Sequence, residues 1–246
     1  MKPDFQAMSQ AELRSYVIPL GIDRVLLDET RPDYFDCDGV LIDSEILSNR
    51  AEVEALRSLG IRFELNDYMN RFVGKNNKDV LDGIESIHGV RISEDSWKVV
   101  KENTSRIFEA ELKPITGVSE LLASIDTAKC VASSSSLERL DLTLKLTGLL
   151  DIFSPHIFSS EQVARGKPAP DLFLFAAEQM QVHPDRCIVI EDSVTGVRAS
   201  VAAGMKVIGF TGGSHIQMGH QEKLIDAGAV EIFPQMSQIS AWLRTQ

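Results

Sequence analysis

The stretch DCDGVLIDSE, residues 36–45, sets four carboxylates (Asp36, Asp38, Asp43 and Glu45) around an apolar Val40-Leu41-Ile42. Unit charges a few ångströms apart repel by about 1 kcal/mol in water and by several times more where solvent is thin. Such a cluster is either an acidic turn splayed into solvent ahead of a helix, or it holds a cation. The same stretch divides the chain into two rhythms. After it comes a run of helices: about Ser44 to Leu59, stopped by Gly60, then Lys78 to Ile87, stopped by His88-Gly89, then Ser93 to Glu111. Their apolar residues, among them Val53, Leu56 and Leu59 or Val80, Leu81, Ile84 and Ile87, recur at helical spacing.

From Pro114 onward, short apolar runs alternate with helical segments. The runs are CVAS (130–133), HIF (156–158), CIVIED (187–192), KVIGF (206–210) and EIF (231–233). Helical patterns begin near Gly117, Leu137, Asp171, Ser193, Gly219 and Ser237. This alternation predicts a parallel sheet wrapped by helices. The expected fold is α/β, a doubly wound, Rossmann-like parallel-sheet core formed by residues 33–43 and 113–246, with a small all-helical insertion at residues 44–112. Residues 1–32 contain a short amphipathic pattern, SQAELRSYVI with Ser9 as N-cap, and receive no function.

The first strand is the weak point of this scheme. Only Tyr34-Phe35 precede the acidic stretch as an apolar pair, and Pro32 interrupts before them, so a weakened central strand that could destabilise the fold or displace Asp36 is expected.

Composition narrows the function. The chain has 246 residues, 43% hydrophobic and 25% charged, enough for one sizeable core with an insertion. A net charge of −11 disfavours nucleic acid and anionic membrane as partners, since both call for a basic surface. Cys37, Cys130 and Cys187 are far apart and form no CxxC, which suggests neither a disulfide framework nor a zinc cluster. No window approaches the length of an apolar membrane span and the first residues lack a signal-peptide run, so a cytoplasmic setting is expected. The five histidines show no HxxxH or HExxH and are expected in surface or loop roles.

In an open parallel sheet the binding crevice lies outside the carboxyl ends of the strands. Four polar motifs follow apolar runs: Asp36 and Asp38 after Tyr34-Phe35, Ser133 to Ser136 after Val131-Ala132, Lys167 in RGKPAPDLF, and Glu191-Asp192 in VIEDSVTG. Each alone reads as capping or turn chemistry. Together they supply what phosphoryl transfer needs, namely carboxylates for a metal, a lysine, and hydroxyl or backbone donors.

In this order the four motifs, DCDGVLIDSE, SSSS, GKPAPD and IEDSVTGVRAS, resemble those of the haloacid dehalogenase-like hydrolases. More narrowly, the chain resembles the branch of sugar-phosphate phosphatases and β-phosphoglucomutase, over about residues 34–235. The resemblance implies a helical cap, residues 44–112, over the site. It implies Asp36 as a nucleophile forming an aspartyl-phosphate and Asp38 as general acid and base. It implies Mg²⁺ held by the Asp36 carboxylate, the Asp38 backbone carbonyl and Asp192 with Glu191 beside them, and Ser133, Ser134 and Lys167 on the phosphoryl group. Arg50 and Lys75 are expected cap contacts for the rest of a small phosphorylated metabolite, with Arg71 and Lys78 nearby. The start DSEILSNRAEVEALRSLGI is similar to phosphatases of sugar phosphates and of phosphorylated sugar acids such as 6-phosphogluconate. A monomer or weak dimer is expected.

Two alternatives stand beside this one. Mutases of the branch carry a His where this chain has Ser48, a Lys-Asn pair where it has Ser136-Leu137, and a cap-loop Arg where it offers Asn77, so transfer to water is favoured over transfer to a sugar hydroxyl. The weak first strand admits a non-catalytic, phosphate-ligand binding module on the same scaffold. Dehalogenases lack the second acid, so Asp38 argues against that chemistry.

Overall fold

The computed structural model describes residues 32–72 and 77–245. The amphipathic pattern before residue 32 and the expected contact Lys75 therefore lie outside the described residues.

Among the described residues six parallel strands form one sheet in the order β3-β2-β1-β4-β5-β6. They are β1 (Asp33–Phe35), β2 (Lys129–Ser133), β3 (Ile157–Ser159), β4 (Ile188–Glu191), β5 (Lys206–Phe210) and β6 (Glu231–Phe233). Despite its three residues β1 is central: Phe35 pairs with Val131 of β2 on one side and Ile190 of β4 on the other. The ladder runs on past the strand at both ends. Ile188 N donates to Pro32 O at 3.3 Å, so the proline uses the carbonyl that it has, and Asp36 N donates to Ile190 O at 3.1 Å. The weak apolar run therefore does not displace Asp36, because neighbours on both flanks fix its backbone.

Alternate residues of these strands enter opposite cores, as the two-residue period of a strand requires. Tyr34, Cys130, Ala132, Val189 and Val207 lie in one cluster, with Leu172, Phe173 and Val197 from helices α8 (Asp171–Gln179) and α9 (Val194–Ala202). Phe35, Val131, Ile190 and Ile208 lie in the other, with Leu140 and Leu144 of α6 (Leu137–Leu146) and Ile239 of α11 (Met236–Leu243). Burial on both faces explains why the strands read as continuous apolar runs. All three cysteines are buried and free.

Between β1 and β2 the described residues form four successive helices, α1 (Glu45–Ser58), α2 (Leu65–Phe72), α3 (Asn77–His88) and α4 (Glu94–Glu111), before the short α5 (Val118–Ala123) leads into β2. The four share their own core of Leu56, Tyr68, Phe72, Ile84, Trp97 and Val100. Helix α2 has no counterpart in the sequence reading; its eight residues carry only Tyr68, Met69 and Phe72 as buried anchors. The chain leaves and re-enters the sheet domain along paired segments, with Asp43 N on Lys113 O at 3.2 Å and Ile115 N on Leu41 O at 2.9 Å. After β2 come α6, α7 (Leu150–Phe153), β3, α8, β4, α9, β5, α10 (His220–Ala227), β6 and α11. Among the described residues no helix is long and apolar enough to cross a membrane.

Candidate active site

The strand order reverses direction at β1, and that is where an open α/β sheet offers its crevice. Asp36 follows β1, Glu191 ends β4 and Asp192 follows it. One oxygen of each lies within 4.8 Å of the others, and all three residues are buried. Three acids so placed need positive charge. Lys167 supplies some of it, with Nζ donating to Asp36 Oδ1 at 2.7 Å, to Glu191 Oε1 at 2.6 Å and to Ala132 O at 2.9 Å. Its side chain is 3% exposed, and its ammonium lies 5.1 Å from the ring centroid of Phe173. Burial alone would lower the lysine pKa, but Asp36 and Glu191 outweigh it and hold the group above the ordinary lysine value. For Asp36 burial dominates, pushing the carboxyl well up; Lys167 opposes that push, while the charges of Glu191 and Asp192 add to it.

A single ammonium against three carboxylates leaves an excess of negative charge in a water-poor place. A divalent cation would remove that excess, and buried carboxylate oxygens are the donors that a hard ion such as Mg²⁺ selects. The residues present fit that group. Among the described residues no hydrogen bond reaches the second oxygen of Asp36 or the Oδ1 of Asp192, whereas both oxygens of Glu191 are taken, the second by Ser193 N and Ser193 Oγ at 2.9 Å each. The Ser193 hydroxyl also caps α9, accepting from Gly196 N at 3.0 Å.

Two glycines make room for this arrangement. Gly39 has φ +79°, and a Cβ there would sit 2.0 Å from Asp192 Oδ2. A Cβ on Gly196 would sit 1.7 Å from Glu191 Oε1, whose side chain is completely buried and held at both oxygens. Gly196→Ala is therefore expected to destabilise the fold by about 1–3 kcal/mol, the usual cost of overpacking, and to displace Glu191 from Lys167. Urea unfolding curves check it; a midpoint equal to that of the unsubstituted protein would show that Glu191 can yield.

Asp38 points to a different set of partners. Ser44 Oγ donates to its Oδ1, Arg139 Nη2 to the same oxygen at 2.9 Å, and Ser135 Oγ to Oδ2 at 2.5 Å. Burial would raise its pKa, but Arg139, Ser135 and Ser44 together lower it. Ser44 occupies the N-cap position of α1 without capping it, because its hydroxyl is used on Asp38. Ser133 is buried at the end of β2 and its hydroxyl accepts from Ser135 N at 3.1 Å, while the exposed Ser134 accepts Ser160 Oγ on its carbonyl at 2.9 Å.

Asp43 accepts from Ser214 N and Ser214 Oγ at 3.1 and 2.7 Å, pinning the loop after β5. Glu45 does stand in the first turn of α1, where the helix dipole favours an acid. Burial and the nearby Asp38 charge nevertheless push its carboxyl up to about 7. Arg50, an expected substrate contact, is paired instead with Glu111 at 2.5 Å across α1 and α4. Lys78 is paired with Asp82 at 2.6 Å along α3.

Two histidines correct the expectation of bland loop roles. His215 Nε2 lies 2.9 Å from Asp192 Oδ2, with the side chain 6% exposed, and His220 Nε2 lies 2.6 Å from the Asp192 carbonyl. Burial works against the protonated form of His215, but the Asp192 hydrogen bond and charge raise its pKa overall. The signal was available: TGGSH follows β5 as a polar run at a strand end, the same criterion that marks the other four motifs. Arg139 was also missed, being a single cation one turn into a helix.

The chain is similar to known proteins over most of its length. Residues 34–210 match the family described as haloacid dehalogenase-like hydrolase. The chain is 30% identical over 210 residues to the 6-phosphogluconate phosphatase of Escherichia coli (strain K12), covering 85% of this chain and 95% of that protein. It is 33% identical to hexitol phosphatase B of the same organism, covering 71% of this chain and 80% of that one. Among solved structures, a haloacid dehalogenase-like protein of unknown function from Agrobacterium tumefaciens superposes with a TM-score of 0.79 at 38% identity, covering 88% of this chain and 98% of that one. A family model that spans residues 34–210, a relative 30% identical over most of both chains and a shared fold together show that the chain belongs to the haloacid dehalogenase-like hydrolases, on their sugar-phosphate phosphatase branch.

Proposed function

We propose that this protein is a Mg²⁺-dependent phosphatase that hydrolyses a small phosphate monoester, a sugar phosphate or a phosphorylated sugar acid, by way of an aspartyl-phosphate on Asp36. The observation that carries the reading is the Lys167 ammonium bridging Asp36 and Glu191 beside Asp192, at the end of the central strand. Positive charge held against a buried carboxylate suits an incoming phosphate dianion, and phosphoryl transfer depends chiefly on positioning and neutralised charge.

Asp36 attacks phosphorus with a carboxylate oxygen while the bond to the ester oxygen breaks, and Asp38 gives that oxygen its proton so that it departs as an alcohol. A water molecule, giving its proton to Asp38, then attacks the phosphorus of the aspartyl-phosphate, and inorganic phosphate leaves with Asp36 restored. Lys167 neutralises one phosphoryl oxygen and Ser133 donates to another. Asp36 and Asp192, with the Asp38 backbone carbonyl, would hold the metal, and Glu191, whose oxygens are already engaged, would add charge beside it. When bound, Mg²⁺ supplies the charge that lets an anion approach three carboxylates. Residues 44–112 act as a cap that covers the site and excludes bulk water. Ser48 stands where mutases carry a His, and this supports water over a sugar hydroxyl as acceptor.

Phosphate release from p-nitrophenyl phosphate and from a panel of sugar phosphates and phosphorylated sugar acids tests the reading. Hydrolysis is expected with Mg²⁺, is expected to stop on chelation, and is expected to return when the ion is restored. No release from any ester in the panel, with Mg²⁺ present and the protein folded, would overturn it.

A further inference from the structure

Asp38 is held by three donors, and the third is unlike the others. Ser44 and Ser135 are hydroxyls in loops beside the carboxylate. Arg139 belongs to α6, 101 positions along the chain. Its backbone N–H is already used to cap that helix, donating to Ser136 Oγ at 3.2 Å, so only the side chain reaches the site.

The same guanidinium is gripped by the inserted helices. Nη2 donates to Ser48 Oγ of α1 at 3.1 Å as well as to Asp38, and the guanidinium carbon lies 4.9 Å from the ring centroid of Phe108 on α4. Phe108 is itself buried, packed with Phe35 and Leu112 in the core that the sheet and the insertion share. Arg139 Nε is buried and, among the described residues, has no hydrogen-bond partner. A buried donor left unpaired costs about 1–3 kcal/mol, so the pose of this fork is imposed by Asp38, Ser48 and Phe108 rather than by its own satisfaction. A planar guanidinium held on one face by a ring and on one edge by two oxygens has a fixed direction, which an ammonium would not.

We propose that Arg139 is a positioning residue for the transfer reaction, fixing the direction in which Asp38 presents its carboxyl and tying that direction to the placement of α1 and α4. The inference rests on the reading of Asp38 as the acid that protonates the leaving group. Displacement of either helix would move Ser48 or Phe108 and with them the guanidinium on Asp38, so a site still open would hold its acid differently from a closed one.

The test compares two esters by the rate at which the first turnover releases the leaving group. A sugar phosphate loses a poor leaving group that needs a proton, whereas p-nitrophenyl phosphate loses one that departs without help. Arg139→Met, which keeps an unbranched apolar side chain and removes the guanidinium, is expected to slow the sugar phosphate by about 30- to 100-fold, within the usual range for general acid catalysis, and p-nitrophenyl phosphate by less than about threefold. Arg139→Lys is expected to recover part of the loss. In an Asp38→Ala background Arg139→Met is expected to add no further loss, since groups acting as a unit are not additive. Should Arg139→Met fail to fold in a thermal melt, Ser48→Ala is expected to show the same split between esters at smaller size.

An equal loss on both esters, a loss that adds to that of Asp38→Ala, or no loss at all would overturn the inference. If the unsubstituted protein hydrolyses neither ester, the assignment as a phosphatase fails first; if it hydrolyses both and the split is missing, only the role of Arg139 fails.

Discussion

Asp36→Asn is expected to lower turnover by roughly 10⁴-fold or more, in keeping with the loss of an essential nucleophile in other enzymes, while leaving the protein at least as stable as before. The two halves of this expectation come from the same geometry. An amide has nearly the volume of the carboxylate and can occupy the same place after β1, but it cannot attack phosphorus to form an acyl phosphate. Asp36 is also one of three clustered buried carboxylates, and it shares the ammonium of Lys167 with Glu191. Its replacement removes one negative charge from a place where burial and the other acids already disfavour it. Lys167 keeps its bonds to Glu191 and to the Ala132 carbonyl, so no cation is left unpaired. Without divalent metal the melting temperature should therefore hold or rise as turnover disappears. Phosphate release and a thermal melt on one preparation check both; turnover within about tenfold of the unsubstituted protein would remove Asp36 from its assigned role.

That Asp36, Glu191 and Asp192 stand out in the sequence reflects how parallel sheets work. Their strands are apolar throughout because both faces are covered, so a polar residue just past the run is conspicuous. The five strands after Pro114 appear within a residue or two of the expected bounds for the same reason. What sequence does not display is the partner at a distance. Asp38 and Arg139 are 101 positions apart, and Asp43 and Ser214 are 171 apart. Nothing local distinguishes Arg139 from an ordinary solvated helix residue. Arg50 is a similar case, since its sequence suits an anion contact and says nothing of Glu111, which the fold sets beside it on a neighbouring helix. Ser44 shows another kind of miss. It sits where a capping serine belongs, yet its hydroxyl is diverted to Asp38, and no propensity signals such a diversion. The first strand teaches the converse. Three residues suffice when flanking strands supply the hydrogen bonds, so a strand's own run length understates its security.

Lys167→Met is expected to cost both activity and stability, the second by about 3–5 kcal/mol, the range for removing one partner of a buried ion pair. Methionine retains most of the length of the lysine side chain, so the loss isolates the ammonium, which lies over the Phe173 ring, rather than a cavity. What remains is Asp36, Glu191 and Asp192 within 4.8 Å of one another, with Asp36 and Glu191 deprived of their ammonium and only His215 beside Asp192, and the Ala132 carbonyl without its donor. Two further measurements follow from this cause and from no general weakening of the core. Adding Glu191→Gln to Lys167→Met should return part of the lost stability, because the pair is coupled through one cluster. Mg²⁺ should raise the unfolding midpoint of Lys167→Met more than that of the unsubstituted protein, since a ligand that binds only the folded state stabilises it most where unbalanced charge is greatest. If Lys167→Met instead unfolds at the original midpoint and responds to Mg²⁺ no differently, then the lysine is not the counter-charge of the acidic cluster, and the electrostatic basis proposed for phosphate binding at Asp36 goes with it.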